Sequence, residues 1–132
     1  MEVDSSGLNK NKKKAKFNEQ EIKQLQHEIT IYTQQWSKEK VGKGSNIIKV
    51  LIFQDMLIYR GEGILSDTEK YISQVNPDII REARARVLAE YWPELMEYLE
   101  EILKAQIIHH IFDIEAEKDF WMHVIVFDQY LN

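Results

Sequence analysis

From Asn18 onward the apolar residues fall at Ile22, Leu25, Ile29, Tyr32 and Trp36. These spacings of three and four place one stripe on a helix. Asn18 is suited to cap its first turn, and Gly42 or Gly44 to end it. The pattern then changes to β-branched and aromatic runs, Ile47 to Phe53 and Met56 to Tyr59, separated by Gln54-Asp55 and closed by Arg60-Gly61-Glu62-Gly63. That predicts a hairpin. Ser66-Asp67-Thr68-Glu69 has the residues of a capping box, opening a short helix that ends near Gln74. Asn76-Pro77 opens a long helix whose stripe is Ile80, Ala83, Val87, Leu88, Leu95, Leu99, Ile102 and Leu103. Pro93 lies inside it, which predicts a kink near Ala89 to Trp92. Ile107 to Ile114 and Phe120 to Phe127 flank Glu115-Ala116-Glu117-Lys118 and predict a second hairpin.

The order of elements predicts an α+β fold: a four-stranded, mainly antiparallel sheet made of two hairpins, with the long N-terminal helix, the short helix and the Pro-kinked helix packed on it. Local pattern does not determine the strand order. In the last strand both alternating sets are apolar, Phe120, Met122, Val124 and Val126 on one side and Trp121, Ile125 and Phe127 on the other. A sheet with one wet face should not read that way, so helices cover both faces or a second subunit covers one. A homodimer is expected, with Trp121, Ile125 and Phe127 as the interface set.

Composition narrows the picture. The 132 residues are 44% hydrophobic and 30% charged, enough for one folded domain, residues 17–132. Residues 1–16 have almost no large apolar side chain to offset ordering entropy and are expected to form a disordered tail. Lys10, Lys12, Lys13, Lys14 and Lys16 crowd that stretch although the formal net charge is −5. The remainder is acidic, which argues against nucleic acid as a partner and leaves the tail a weak contact with anionic lipid. No cysteine is present, so there is no disulfide framework or thiolate ligand. No apolar run reaches the roughly 18–20 residues that span a bilayer, and no apolar signal core follows the lysines. A cytoplasmic protein is expected, with any membrane association made through a partner or the tail.

Candidate chemistry is sparse. Gly42-Lys43-Gly44-Ser45 looks like the end of a phosphate loop, but it follows a helix and precedes a strand, the reverse of the order that such a loop needs; it reads as a helix C-cap. His109, His110 and His123 are the nearest thing to a metal constellation. With the turn centred between Ala116 and Glu117, His110 lies opposite His123, while His109 and Asp113 point to the other face. His110 and His123 are thus the candidate metal ligands, or a pH-sensitive contact. Glu94, Glu97, Glu100 and Glu101 read as a solvated helix face, with Glu100 and Lys104 as an i,i+4 pair. Trp36, Trp92 and Trp121 read as core or interface anchors. No nucleophile elbow occurs, no catalytic residues are assigned and no cofactor is expected.

Several residues line up with a known pattern. Gly42-Lys43-Gly44, Asp55, Gly63-Ile64-Leu65-Ser66 with Glu69, Arg84 followed by Pro93, Asp113-Ile114 and Val126-Phe127 occur in the order and spacing of the MpsC-like family. The chain resembles these small bacterial proteins, named for a sodium-translocating, membrane-potential-generating system, from about Ile29 to Phe127. Ser45 stands where they usually carry proline, and Lys104-Ala105-Gln106 where they usually carry a glycine. The resemblance implies association with a membrane ion-handling system. Together with the doubly apolar last strand and the absence of a catalytic constellation, it leads to the expectation of a non-enzymatic accessory protein of a cation-translocating or bicarbonate-handling system, joined through a membrane-protein partner or the lysine tail. A ligand- or metal-binding regulatory domain using the C-terminal hairpin histidines is the alternative.

Overall fold

The structure is a computed structural model and describes residues 15–132. Lys10, Lys12, Lys13 and Lys14, with most of the expected tail, lie outside the described residues. Lys16 is described, and its Nζ donates to the carbonyl of Lys104. The elements are α1 (Glu19–Val41), β1 (Ile47–Phe53), β2 (Met56–Glu62), α2 (Asp67–Val75), α3 (Pro77–Leu103), β3 (Ile107–Glu115) and β4 (Phe120–Phe127), with a 3-10 turn at Ala116–Lys118.

Local chemistry explains the boundaries. Asn18 caps α1 through a full capping box, its Oδ1 accepting from Glu21 N at 2.8 Å while Glu21 Oε1 accepts from Asn18 N at 2.9 Å. Ser66 and Glu69 do the same for α2. Gly42 ends α1 in the left-handed region at φ 96°, so Gly42-Lys43-Gly44 is a helix C-cap. The long helix α3 continues through Pro93 as one element and is capped by Lys104 at φ 52°, a conformation that suits glycine better. Its buried stripe is Ile80, Arg84, Leu88, Leu95, Leu99 and Leu103. Ala83 and Val87, expected on that stripe, are exposed, and an arginine takes the buried place.

The four strands run in the order β1-β2-β4-β3, every neighbouring pair antiparallel. The two hairpins join through a central β2–β4 seam. One face carries Ile48, Val50, Ile52, Leu57, Tyr59, Trp121, His123, Ile125, Phe127, Phe112 and Ile114 under the helices, and this is the core. Trp121, Ile125 and Phe127, the expected interface set, are therefore buried within the chain itself, at 6%, 0% and 0% exposure. The alternate set of β4 faces away from the helices, which corrects the face assignment: both sets are apolar, so alternation alone did not say which one the helices cover. On that open face Leu51, Phe53 and Ile111 are 53%, 51% and 60% exposed.

Side chains occupy parts of both sheet edges. Along β1, Gln26 Oε1 accepts from Ile52 N at 2.9 Å and Asn132 Nδ2 donates to Ile52 O at 3.1 Å. Beside β3, Glu100 Oε2 accepts from Ile107 N at 2.8 Å, and the ladder is broken by a bulge between Ile107 and His109. Such devices blunt an edge against further strand pairing. The segment after β4 folds back over the first hairpin, with Leu131 N donating to Gln54 O at 2.7 Å and the Leu131 side chain fully buried.

Within the seam, Gly61 pairs with Trp121. A Cβ at Gly61 would lie 2.0 Å from Trp121 Cε2, so only a hydrogen leaves room for the indole to lie across β2. Ser45 then receives the indole N–H at 2.9 Å.

Candidate functional site

The second hairpin sets the histidine geometry. Glu115 pairs with Phe120, and the intervening Ala116–Lys118 turn is closed by Asp119 in the left-handed conformation at φ 52°. The turn is therefore centred one residue later than the sequence suggests, and the register moves by two: His110 pairs with Ile125, and His123 with Phe112. The imidazoles still meet along the diagonal, His110 Nδ1 to His123 Nε2 at 2.9 Å. Trp92 of α3 packs on both rings, its centroid 4.6 Å from His123 and edge-on to His110 at 5.9 Å. The pair thus lies under the helical layer, not on the open face.

His123 is 1% exposed. Burial, aided by the neighbouring His110, lowers its pKa from 6.5 to about 3, and burial with His109 lowers that of His110. Both shifts favour neutral rings, one donating its N–H to the other. A mild-acid switch at an exposed histidine contact is thus opposed by the geometry. The consequence for stability has a definite sign. The unfolded chain binds the proton that folded His123 refuses, so this contribution is complete above the ordinary histidine pKa and is lost as pH falls from there toward 3. The slope is roughly 1.4 kcal/mol per pH unit, giving a loss of about 2 kcal/mol by pH 5. Urea unfolding between pH 7 and 5 should show this slope, and His123→Gln should flatten it by about one proton's worth. An unchanged slope in the variant would locate the acid sensitivity elsewhere.

As metal ligands the two rings supply two nitrogens. Among the described residues no group of three or more histidine, cysteine or acidic side chains is placed to hold an ion. Asp113 is instead held by Arg81 at 3.0 Å.

Beneath the same aromatic cluster is a cavity of about 30 Å³ lined by Thr33, Trp36, Ser37, Tyr59, Trp92 and His123 among others. Thr33 Oγ1 and Tyr59 OH share a hydrogen bond of 2.7 Å there. Burial raises the Tyr59 pKa despite the Thr33 hydrogen bond, so its hydroxyl stays protonated.

A second constellation was not assigned from sequence pattern. Arg84, 6% exposed, forks onto Glu69, with Nε to Oε2 at 3.0 Å and Nη2 to Oε1 at 2.7 Å, and Nη2 also reaches Ile64 O at 3.1 Å. Lys43 Nζ donates to Gly63 O from the C-terminal side of α1. From the opposite side Asp119 Oδ1 accepts from Ile64 N and Leu65 N at 2.8 and 3.0 Å. Partial burial pushes the Glu69 pKa up, but hydrogen bonds from Arg84 and Ser66 and the guanidinium charge outweigh it, and the net shift is down. Lys43, Ser66, Glu69 and Arg84 line a groove of about 370 Å³. Its main evident work is to fix the Gly63–Ser66 loop between β2 and α2. The available signal was an arginine on the apolar stripe of α3, four residues from both Ile80 and Leu88.

Two of the remaining acidic candidates have structural partners. Glu100 binds Ile107 N, not the expected Lys104, and Glu94 lies 3.7 Å from Lys40. Among the described residues no helix is long and apolar enough to cross a membrane.

Comparison with known proteins gives a consistent placement. The chain is 27% identical over 109 residues to the uncharacterised protein YrhF of Bacillus subtilis (strain 168), covering 80% of this chain and 89% of that one. No solved structure matches. The family model for the Na+-translocating membrane potential-generating system (MpsC) matches residues 21–129, nearly the whole described fold, including Gly42-Lys43-Gly44, Glu69 and Arg84. The chain belongs to the MpsC family.

Proposed function

We propose that this chain is a non-enzymatic accessory module, cytoplasmic and peripheral, of a membrane system that translocates cations or handles bicarbonate and generates membrane potential. The observation that carries the reading is the family match over residues 21–129. Two features support association over turnover. Two of the groups that could do acid-base work are engaged in the fold, Glu69 by Arg84 and His123 by His110. A broad apolar sheet face is left open beside them. A protein partner holds the folded domain at the membrane, and the lysines from Lys10 to Lys16 add attraction to anionic lipid of roughly 1 kcal/mol per nearby lysine, weakened by salt.

The two routes separate experimentally. Membrane recruitment of the full chain and of a chain lacking residues 1–14 is compared in cells with and without the membrane subunits of the system. Recruitment that requires those subunits and survives loss of the tail is expected, while binding to anionic vesicles should fall on tail removal. Recruitment in neither background, together with turnover of a small-molecule substrate, would overturn the reading. The 2.9 Å imidazole contact is the observation behind a metal-regulated alternative. Stoichiometric zinc or nickel in native protein, lost in His110→Gln and His123→Gln variants, would favour it.

A further inference from the structure

The register arranges the open face in four rows, each crossing β1, β2, β4 and β3 in turn. The first is Phe53, Met56, Val126 and His109, and the second is Leu51, Ile58, Val124 and Ile111. The third is Lys49, Arg60, Met122 and Asp113, and the fourth is Ile47, Glu62, Phe120 and Glu115. Two rows are thus almost wholly apolar. In the other two, Lys49, Arg60 and Glu62 stand on the β1–β2 half, and Asp113, held at 3.0 Å by Arg81 of α3, and Glu115 on β3. Of these, Arg60 holds Glu62 at 2.9 Å on its own half.

We propose that this face binds a second copy of the chain, the two sheets packing face to face about a two-fold axis that runs parallel to the strands. That rotation keeps each row over its own counterpart and lays β1 over β3 of the second copy. Leu51 then meets Ile111, and Ile58 meets Val124, in the apolar centre. Lys49 meets Asp113 of the second copy, whose carboxylate, held by Arg81 of its own chain, is still 70% exposed on its side chain, and the two-fold makes this contact twice. A two-fold axis across the strands would lay apolar rows over the charged row and bury Arg60 and Asp113 against hydrocarbon, at the cost of desolvating both. The strand-parallel axis avoids this. Side chains at Ile52 and Ile107 and the bulge at Ile108 obstruct parts of both edges, so pairing through faces is favoured over pairing through edges.

The size is sufficient. Four strands about 4.8 Å apart and four rows about 6.8 Å apart give roughly 520 Å² of planar area per copy, before side-chain relief. Two such faces approach the roughly 1,000 Å² that separates specific interfaces from incidental contacts. Aligned sheet packing of this kind is a standard arrangement for apolar inner faces.

The test uses the purified full chain and does not depend on any membrane partner. Sedimentation velocity over a dilution series should show a dimer that dissociates on dilution. Ile58→Glu and Val124→Glu, neighbours across the seam on the open face, should each weaken it by at least about tenfold, with unchanged circular dichroism because neither side chain enters the helix-covered core. If those variants misfold, charge reversal is the second measure. Lys49→Asp and Asp113→Lys should each raise the dimer dissociation constant by about tenfold, and the double variant should restore most of it. A monomer at high micromolar concentration would overturn the proposal. So would a dimer indifferent to both sets of substitutions, which would place its interface elsewhere. Single charge variants that weaken the dimer without rescue would overturn the axis proposed here.

Discussion

Replacing Arg84 with alanine is expected to lower the unfolding free energy by about 3–5 kcal/mol, the range for removing one partner of a buried ion pair. The guanidinium is the only cation on the apolar stripe of α3, and its loss leaves Ile64 O and both oxygens of Glu69 without their Arg84 donors. Arg84→Lys should recover only part of the loss, because an ammonium cannot reproduce the two-pronged contact. Glu69→Gln should cost less, since Glu69 is partly exposed and an amide still accepts a hydrogen bond. Acid gives an independent check. The Glu69 pKa is lowered on folding, so its stabilisation is complete above the ordinary carboxylate range and is lost as pH falls through the folded value. Urea unfolding of the four proteins measures all of this. A loss for Arg84→Ala of under about 1 kcal/mol, the range of exposed pairs, would show that the contact contributes little to holding α2, α3 and the loop together.

Gly61→Ala should destabilise by about 2–4 kcal/mol, combining overpacking with loss of a buried hydrogen bond. The added carbon would meet the Trp121 indole at 2.0 to 2.3 Å on three of its atoms, and the ring can yield only by leaving Ser45. The identity of the obstacle can be checked by a double substitution. With Trp121→Leu already present, Gly61→Ala should cost much less than in the native background, since the two residues share one space. Equal costs in both backgrounds would mean that β2 itself, not the indole, rejects the side chain.

Much of the fold was legible because its signals are local. The stripe from Ile22 to Trp36, the capping residues Asn18 and Ser66, and the β-branched runs around Gln54-Asp55 act over a few residues, and each element stands where they place it. The strand order was not legible. It depends on the β2–β4 seam, whose partners are far apart in sequence, and no short pattern reports such a pairing. The exposed face was misassigned because β4 is apolar on both sides, so alternation carries no information about which side the helices cover. The histidine register depended on the conformation of Asp119, which the polar stretch Glu115 to Lys118 does not reveal. Even so, the two rings meet, because imidazoles reach diagonal as well as direct neighbours. Arg84 is not marked as buried by the pattern of α3, because Ala83 and Val87 offer a stripe of ordinary apolar residues one position away.

The central seam also has a kinetic meaning. Each hairpin can close over a short turn, but Met56 must find Val126 and Glu62 must find Phe120 across about sixty or more residues of chain that include α2 and α3. Loop closure is therefore the costly step, and the hairpins should form before the sheet does. Until they join, β2 and β4 are both edge strands with apolar side chains on each face. In that interval Leu57, Ile58, Val124 and Ile125 expose a self-adhesive surface, so the folding chain is most vulnerable to aggregation where the finished protein is most deeply paired.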